Sequence, residues 1–224
     1  MKAGYRHEYK YLISTATARL LRSRLRSFMK PDAHAGPDGQ YTIRSLYFDD
    51  PFGAAYEEKM SGIRDRYKYR IRYYNYDPSV LRLERKEKHG ELTRKTGQSL
   101  SPEQAVILTA CAPEPRQEGL CGELQRRCLT EGFRPRCLVD YDRVPFVCAD
   151  GNTRITLDMN LRTRPYDVDL LASSQAMIPV LEPDQVILEV KFDDFLPGYL
   201  GEILEDIPKV QMSISKYVLC LNLT

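Results

Sequence analysis

The sequence lacks several features that would point to common classes of protein. It has three histidines, and its six cysteines form no Cys-x-x-Cys pair. A zinc site built from these residues is therefore not expected, and we interpret the cysteines as buried thiols of a cytoplasmic protein. No run of about 18 apolar residues occurs, and the start of the chain has no signal-peptide character, so we expect a soluble chain.

A large excess of one sign of charge is also missing. The 224 residues include 33 lysines and arginines against 31 acids, which gives a formal net charge of +2. Nucleic-acid-binding domains usually carry a clear basic excess, so this balance argues against a general role of that kind. With 29% charged and 42% hydrophobic residues, the composition is that of a folded protein. We expect a single domain over residues 1–224.

What the sequence does contain is charge that alternates along strands. The stretch RYKYRIRYY, residues 66–74, places Arg66, Lys68, Arg70 and Arg72 at every second position, with tyrosine and isoleucine between them. Alternate side chains of an extended strand point to opposite faces, so one face is cationic and the other is apolar. Because like charges repel at this spacing, the pattern favours an anion lying along the charged face.

Other predicted strands share this alternation. Their charged faces hold mostly arginine and lysine, with isolated acids among them. The faces comprise Arg6, Glu8 and Lys10; Arg82, Glu84, Lys86 and Lys88; Arg154, Thr156, Asp158 and Asn160; and Glu189, Lys191 and Asp193. Either an antiparallel sheet shows these faces to water, or a barrel turns them inward and is wrapped by helices.

The types of residue on these charged faces favour the barrel. Faces exposed to water usually mix in neutral polar residues, and like charges opposite one another on adjacent strands are destabilising. An enclosed anion would offset that repulsion, and a polyphosphate suits closely spaced arginine and lysine. The carboxylates Glu8, Glu84 and Glu189 would suit a hard divalent cation that bridges phosphate oxygens.

Helix signals separate two groups of strands. Serine caps begin helices at Ser14 and Ser101. Further along, helices are predicted at 102–111 and 118–130, with a short one near the end of the chain. The strand at 66–74 pairs with the next one as a hairpin. This order predicts an α+β fold in which helices flank an antiparallel sheet of about eight strands.

Eight short motifs occur along the chain in a fixed order. They are RHEYKY, SLYFDD, KYRIRYY, LERKEK, DYDRVPF, RITLD, LEVKF and SKY. In this order they resemble the VTC domain, the catalytic module of the vacuolar transporter chaperone complex and of its bacterial relatives. The resemblance implies a tunnel-shaped antiparallel β-barrel with a charged lumen, related to the triphosphate tunnel enzymes. It also implies synthesis of inorganic polyphosphate from ATP, with Mn²⁺ or Mg²⁺ as the metal.

The resemblance implies roles for individual residues. The phosphate ligands would be Lys10, Arg70, Arg72, Lys86, Arg143 and Arg154. Four of these, Lys10, Arg70, Arg72 and Arg154, would grip the β- and γ-phosphates of ATP. Glu189 would be the metal ligand, with Lys191 nearby.

Two further positions follow from the family pattern. Lys95 and Arg94 compete for the basic position on the strand after LERK. Ser215 and Lys216 match the family's Ser-Lys-aromatic ending, where they would bind the phosphate chain. The yeast relatives have another lysine two positions before that serine. This chain has Ser213 at that position, and Lys209 lies six residues before Ser215. The role of Lys209 therefore stays open.

The expected chemistry needs little from the protein beyond position and charge. Phosphoryl transfer is helped mainly by positioning and by neutralising charge, and the terminal phosphate of a growing chain is already ionised. We therefore expect no general base. A triphosphatase on the same fold is the first alternative. Those relatives carry Glu-x-Glu-x-Lys in the first strand, whereas this chain reads Arg6-His7-Glu8-Tyr9-Lys10, so a cation replaces one acid.

A non-catalytic, polyphosphate-binding accessory module is a second alternative. RNA binding is disfavoured, because Tyr67, Tyr69 and Tyr73 alternate with the charges, so bases could not stack where phosphates bind. The yeast relatives carry membrane helices that this sequence does not show. We therefore expect a separate membrane protein as a partner, with the chain on the cytoplasmic side of the inner membrane.

Overall fold

The computed structural model describes residues 6–90, 92–113, 117–165, 168–213 and 215–223. The strands in these ranges are β1 (His7–Ser14), β2 (Lys30–Pro31), β3 (Tyr41–Asp49), β4 (Asp65–Tyr74), β5 (Asp77–His89), β6 (Leu92–Leu100), β7 (Arg134–Cys148), β8 (Thr153–Arg164), β9 (Ile178–Pro179), β10 (Gln185–Phe192) and β11 (Val210–Gln211). The helices are α1 (Thr15–Leu25), α2 (Ala54–Met60), α3 (Pro102–Ala110), α4 (Gly119–Thr130), α5 (Gly198–Glu205) and α6 (Lys216–Leu221). Within the same ranges, none of the helices is long and apolar enough to cross a bilayer.

The strands form one antiparallel sheet whose two ends meet. In the described ranges eight strands have eight or more residues, and three have two residues each. The order is β11-β1-β10-β8-β7-β3-β4-β5-β6, with β2 on β7 and β9 on β8. At the ends, Arg6 and Thr93 form a single bridge with N···O distances of 3.2 and 3.4 Å. The predicted antiparallel sheet with flanking helices is confirmed, although its ladder is not continuous all the way round.

Helices cover the outer, apolar face of the sheet in two places. On one side α1 and α5 pack on β10, where Leu21, Leu200 and Leu188 are fully buried. On the other side Leu108 of α3 and Leu124 of α4 pack with β4 and β5. Burying one such side chain is worth about 1.5–3 kcal/mol. These two layers therefore fix the direction of the sheet's curvature and turn its charged face inward.

The C-terminal helix α6 packs on the opposite, inner face. Tyr217 is 1% exposed and lies in a cluster with Leu161 of β8 and Ile187 of β10. Its hydroxyl donates to Asp49 at the end of β3. Helix α6 therefore fills part of the space that the sheet encloses, and charged side chains line the rest.

Local signals explain where the helices begin. The Ser14 hydroxyl accepts a backbone N–H in the first turn of α1, and Ser101 and Gln104 form a reciprocal capping box at the start of α3. The helices predicted at 102–111 and 118–130 are present as α3 and α4, with ends within one residue of the prediction. The predicted hairpin of β4 and β5 is also present.

One arginine of β3 lies away from the enclosed space. Arg44 is 1% exposed and sits on the outer face of the sheet. Its guanidinium donates to both carboxylate oxygens of Asp140, with N···O distances of 2.9–3.2 Å. The Tyr76 hydroxyl donates to the same carboxylate at 3.0 Å. Arg44 and Asp140 are thus a buried ion pair with a structural role.

Replacing Arg44 with methionine tests that role. The change strands the Asp140 carboxylate without its cation, and removing one partner of a buried pair costs about 3–5 kcal/mol. We expect a loss of unfolding free energy of that size in urea denaturation. The matched control is Arg24→Met, because Arg24 pairs with Asp206 on the surface, where such a pair contributes at most about 1 kcal/mol. Equal losses in the two variants would contradict the assignment.

Candidate functional site

The inner face of the sheet gathers the charges that alternate along the strands. Where β4 pairs with β5, Lys68 lies opposite Lys86 and Arg70 lies opposite Glu84. Where β1 pairs with β10, a lysine of β1 lies opposite Glu189. The register therefore sets like charges side by side at several positions, such as Arg72 and Arg82, and opposite charges at others. All of them face the enclosed space.

Glu189 of β10 is the centre of a first cluster. It is 6% exposed and accepts hydrogen bonds from Lys191 at 2.7 Å, Lys216 at 2.8 Å and Arg143 at 3.3 Å. Burial alone would raise the pKa of Glu189, but these cations, together with Lys10, hold it well below its usual range. The carboxylate is therefore ionised at neutral pH.

Asp158 of β8 completes this cluster, and the sequence reasoning gave it no role. Its carboxylate accepts from Arg143 at 2.6 and 2.7 Å and pairs with Lys216 at 2.5 Å. Burial opposes the charge, but Arg143 and Lys216 lower the pKa of Asp158. The alternation along β8 had already placed Asp158 on the same face as Arg154. Nothing in the sequence indicated that α6 would carry Lys216 to it.

A second cluster forms where β4, β5 and β6 meet. Glu84 is 1% exposed and is bonded to Arg70 at 2.7 Å and to Lys95 at 2.9 Å. Arg94, the alternative to Lys95, bonds to Glu87 at 2.8 Å on the other face of the strands. Lys95 is therefore the basic residue of β6 that faces the interior.

Arg72 differs from its neighbours in its partners. It is 6% exposed, and its guanidinium donates to the hydroxyls of Ser45 at 3.1 Å and Tyr141 at 3.0 Å. In the described part of the chain it forms no salt bridge. A buried cation with only neutral partners is unfavourable, and a bound anion would relieve it.

A third cluster lies at the start of β1. Glu8 pairs with Lys10 at 2.9 Å and with Lys86 at 2.7 Å. Lys68 lies beside them and donates to the Ser215 hydroxyl at 3.1 Å. Burial lowers the pKa of Lys86 to about 7, although Glu8 opposes the shift. Burial and the neighbouring Lys86 also lower the pKa of Lys68 well below its usual range.

Arg154 lies at the edge of the charged interior. It pairs with Asp32 at 2.6 Å and donates to the Tyr41 hydroxyl at 2.7 Å. Asp32 comes from the loop after β2 and is 8% exposed. The sequence reasoning missed it, because a loop residue has no alternating pattern that assigns it to a face.

The structure brings most of the predicted site residues together. The enclosed region contains Glu8, Lys10, Arg70, Arg72, Glu84, Lys86, Lys95, Arg143, Glu189, Lys191, Ser215 and Lys216. Lys209 lies outside it. Its ammonium bonds to the Leu204 carbonyl and is 5.7 Å from the centre of the Tyr11 ring, both in the outer layer.

The three glutamates predicted as metal ligands are not gathered in one place. Glu189 is close enough to Glu8 to affect its pKa, whereas Glu84 belongs to the Arg70 cluster. In the ranges that the structure describes, no three acidic, cysteine or histidine side chains are arranged to hold a metal. The oxygen donors of Glu8 and Glu189 still fit Mg²⁺ or Mn²⁺, because such ions commonly bind one or two carboxylates plus the phosphates of a substrate. Glu84 does not join that set.

A comparison with family models finds the VTC domain over residues 5–224. The chain belongs to the VTC-domain family. A comparison with curated proteins found no match.

Solved structures with the same fold include a putative adenylate cyclase (bh2851) from Bacillus halodurans. It is 17% identical with a TM-score of 0.56, and the alignment covers 94% of this chain and 96% of that one. Another is the putative adenylyl cyclase HpAC1 from Hippeastrum, described as having a dominant triphosphatase activity; it is 16% identical with a TM-score of 0.56, covering 98% and 96%. At these identities the likeness shows the fold alone.

The lowered pKa of Lys86 predicts how anion binding to this VTC domain depends on pH. Lys86 is charged below about pH 7 and loses its proton above it. A bound anion raises the pKa of Lys86, so binding takes up a proton and weakens as the pH rises through that value. The expected result is a dissociation constant for inorganic triphosphate that increases above about pH 7, measured by calorimetry.

Lys86→Arg is the control for this effect. Arginine stays charged throughout the range, so its affinity should fall less steeply with pH. Comparing the two proteins cancels the titration of the triphosphate itself. The charged groups near Lys86 include Glu8, Lys10, Lys68, Glu189 and Lys191, and they are the same in both proteins. Identical slopes for wild type and variant would rule out Lys86 as the titrating group.

Proposed function

We propose that this protein is a polyphosphate polymerase, which transfers the γ-phosphate of ATP to a growing inorganic polyphosphate chain with the help of Mn²⁺ or Mg²⁺. The observation that carries the proposal is the convergence of lysines and arginines from separate strands on one enclosed space. Among them Arg72 is buried with only hydroxyl partners. Such a space suits a ligand with several linked negative charges. Membership of the VTC-domain family supports the same function.

The proposed mechanism begins with exchange of counter-charges. Arg72 binds phosphate without giving up a carboxylate. Arg70 and Lys10 are paired with Glu84 and Glu8, and they turn from these acids to the β- and γ-phosphates of ATP. Arg154, at the edge of the interior, has the same role. Each exchange replaces one charge-assisted bond with another, so the cations remain neutralised when the substrate binds.

The remaining residues position the polymer and the metal. The residues that bind phosphates of the chain are Lys86, Lys95, Arg143, Lys191, Ser215 and Lys216. Glu8 and Glu189 would hold the divalent metal, which would supply charge stabilisation for ADP as it leaves the transferred γ-phosphate. The chain's terminal phosphate attacks in its ionised form, so no general base is needed.

A triphosphatase is the second candidate, because one structural neighbour is described with a dominant triphosphatase activity. The position of Arg6 weighs against it. Where the tunnel triphosphatases have the first of two acids, this chain has Arg6, which pairs with Asp193 at 2.7 Å. Only Glu8 remains of the acid pair that would hold the metals and activate water. A module that binds polyphosphate without catalysis is the third candidate.

We also propose that residues 1–224 act as a single domain, and that a separate membrane protein is its partner on the cytoplasmic side of the inner membrane. The sheet order supports the first point, since β1 pairs with both β10 and β11 near the other end of the chain. The resemblance to relatives that carry membrane helices supports the second.

Replacing Arg72 with methionine tests the polymerase. Its partners are neutral hydroxyls, so the change strands no buried carboxylate. We expect ATP-dependent polyphosphate formation with Mn²⁺, followed by gel staining, to fall about 100-fold or more, as when a preorganised group that stabilises charge is removed. Arg70→Ala should abolish it as well. Full polymer yield in Arg72→Met would reject the assignment.

Two controls accompany this measurement. Arg126→Met removes an exposed arginine of α4 and should leave both polymer yield and melting temperature unchanged. Incubating the wild type with triphosphate and metal separates the candidate functions. Release of free phosphate without any polymer from ATP would favour the triphosphatase, and binding without either product would favour the non-catalytic module.

A further inference from the structure

Two cysteines of the outer helical layer lie in contact. Cys111 is the residue that follows α3, and Cys128 lies near the end of α4. Their sulfur atoms are 3.0 Å apart. The sulfurs of a disulfide are about 2.05 Å apart, so a movement of about 1 Å would join them. Both cysteines belong to the apolar cluster outside the charged interior, and the proposed function uses neither thiol.

The backbone at Cys111 adds to this observation. Its φ is 50°, in the left-handed region that ends many helices and that glycine usually occupies. The N–H of Cys111 donates to the Leu108 carbonyl, and that of Ala112 donates to the Ile107 carbonyl, each at 3.1 Å. A glycine would make this turn with less strain. The cysteine instead supplies a sulfur that reaches α4.

The surroundings of the pair favour a thiolate on Cys111. Hydrogen bonding with Cys128 lowers the pKa of Cys111 to about 7; burial opposes the shift, and the Arg134 guanidinium assists it. Arg134 donates to the carbonyls of Cys128 and Phe133, each at 2.7 Å. Cys111 is 8% exposed and Cys128 is 1% exposed. Because the thiolate is the reactive form, a small oxidant reacts first at Cys111.

The other fully buried cysteines differ from Cys111. Burial raises the pKa of Cys121 and of Cys137, and it raises that of Cys220 to about 12. Their thiolates are therefore rare at neutral pH. The pKa of Cys128 is also raised, by its hydrogen bonding with Cys111 and by burial. A reactive thiol beside a second thiol that can complete a disulfide is typical of redox-sensing cysteines.

We propose that Cys111 and Cys128 are an oxidation site, at which hydrogen peroxide forms a reversible disulfide between the end of α3 and α4. The Cys111 thiolate attacks one peroxide oxygen and the O–O bond breaks. Cys111 becomes a sulfenic acid, and the released hydroxide takes up a proton from solvent. The Cys128 sulfur then attacks the Cys111 sulfur and displaces hydroxide, which leaves as water with the Cys128 proton. Two thiols are oxidised, and one peroxide is reduced to two waters.

The disulfide would fasten the helical layer behind the strand that carries Arg70 and Arg72. Leu108 of α3 and Leu124 of α4 pack in one cluster with Tyr69 of β4. A cross-link between residues 17 positions apart restricts the unfolded chain. The oxidised protein is therefore more stable than the reduced one. This inference does not depend on the proposed function.

The test treats the full chain with hydrogen peroxide, alkylates the remaining thiols after denaturation, and analyses the intact mass and the peptides. We expect the loss of two hydrogen atoms, a peptide that joins Cys111 to Cys128, and two of the six cysteines protected from alkylation. Dithiothreitol should reverse the change. The oxidised protein should melt about 5–15 °C above the reduced one.

Single variants separate the two thiols. In Cys128→Ala, peroxide should leave a sulfenic acid on Cys111, which a dimedone-type reagent detects. In Cys111→Ala, Cys128 should stay reduced. The matched control is Cys121→Ala, which replaces another buried cysteine of α4 and should still form the cross-link.

Three results would overturn the oxidation site. They are alkylation of all six cysteines after peroxide treatment, oxidation at other cysteines in place of this pair, and a cross-linked protein that melts no higher than the reduced one. None of these measurements contains a phosphate ligand. Their failure would therefore leave the proposed function intact, and a chain that forms no polymer from ATP would leave the oxidation site intact.

Discussion

Enclosing lysines and arginines side by side is the constraint on which this structure depends. The curled sheet turns the charged sides of β1, β4, β5, β7, β8 and β10 toward one another, away from bulk water. Desolvation makes each unpaired charge unfavourable, and repulsion adds to it. Four carboxylates, Glu8, Glu84, Asp158 and Glu189, keep the interior stable when no ligand is present. They are fewer than the cations, so the interior remains ready for an anion.

This balance explains why the apolar parts of the fold are arranged as they are. Two helical layers on the outside bury the apolar sides of the same strands, and their packing gives the free energy that holds the charged sides together. Helix α6 adds a third apolar cluster inside the sheet and at the same time delivers Lys216 to Asp158 and Glu189. One short helix thus joins the core to the charged site.

Much of this arrangement could be predicted from the sequence, because strand alternation fixes which face a side chain takes. The inward positions of Arg70, Arg72 and Glu189 follow from that rule, as do the helix starts at Ser14 and Ser101 from their caps. Alternation does not fix depth along the enclosed space. This is why Glu84 was grouped with the other two glutamates although it lies in a separate cluster.

Contacts from outside the regular strands were beyond prediction for a different reason. Asp32 reaches Arg154 from a loop, and Lys216 reaches Asp158 from a helix; neither has a periodic pattern that links it to the sheet. Arg44 shows that residue type alone does not predict a place in the charged interior. An arginine would suit that interior, but alternation along β3 turns Arg44 outward to Asp140, since the adjacent Ser45 faces inward and bonds to Arg72.

The single bridge between Arg6 and Thr93 leaves a seam, a gap in the ladder of backbone hydrogen bonds, where β1 meets β6. Across that seam Glu8 of β1 is joined to Lys86 of β5. The same lysine is a candidate phosphate ligand. Its ammonium group would then bind either Glu8, which joins β5 to β1, or a phosphate. A phosphate ligand that binds Lys86 would therefore loosen this seam, because Glu8 would lose one of the two cations that it pairs with.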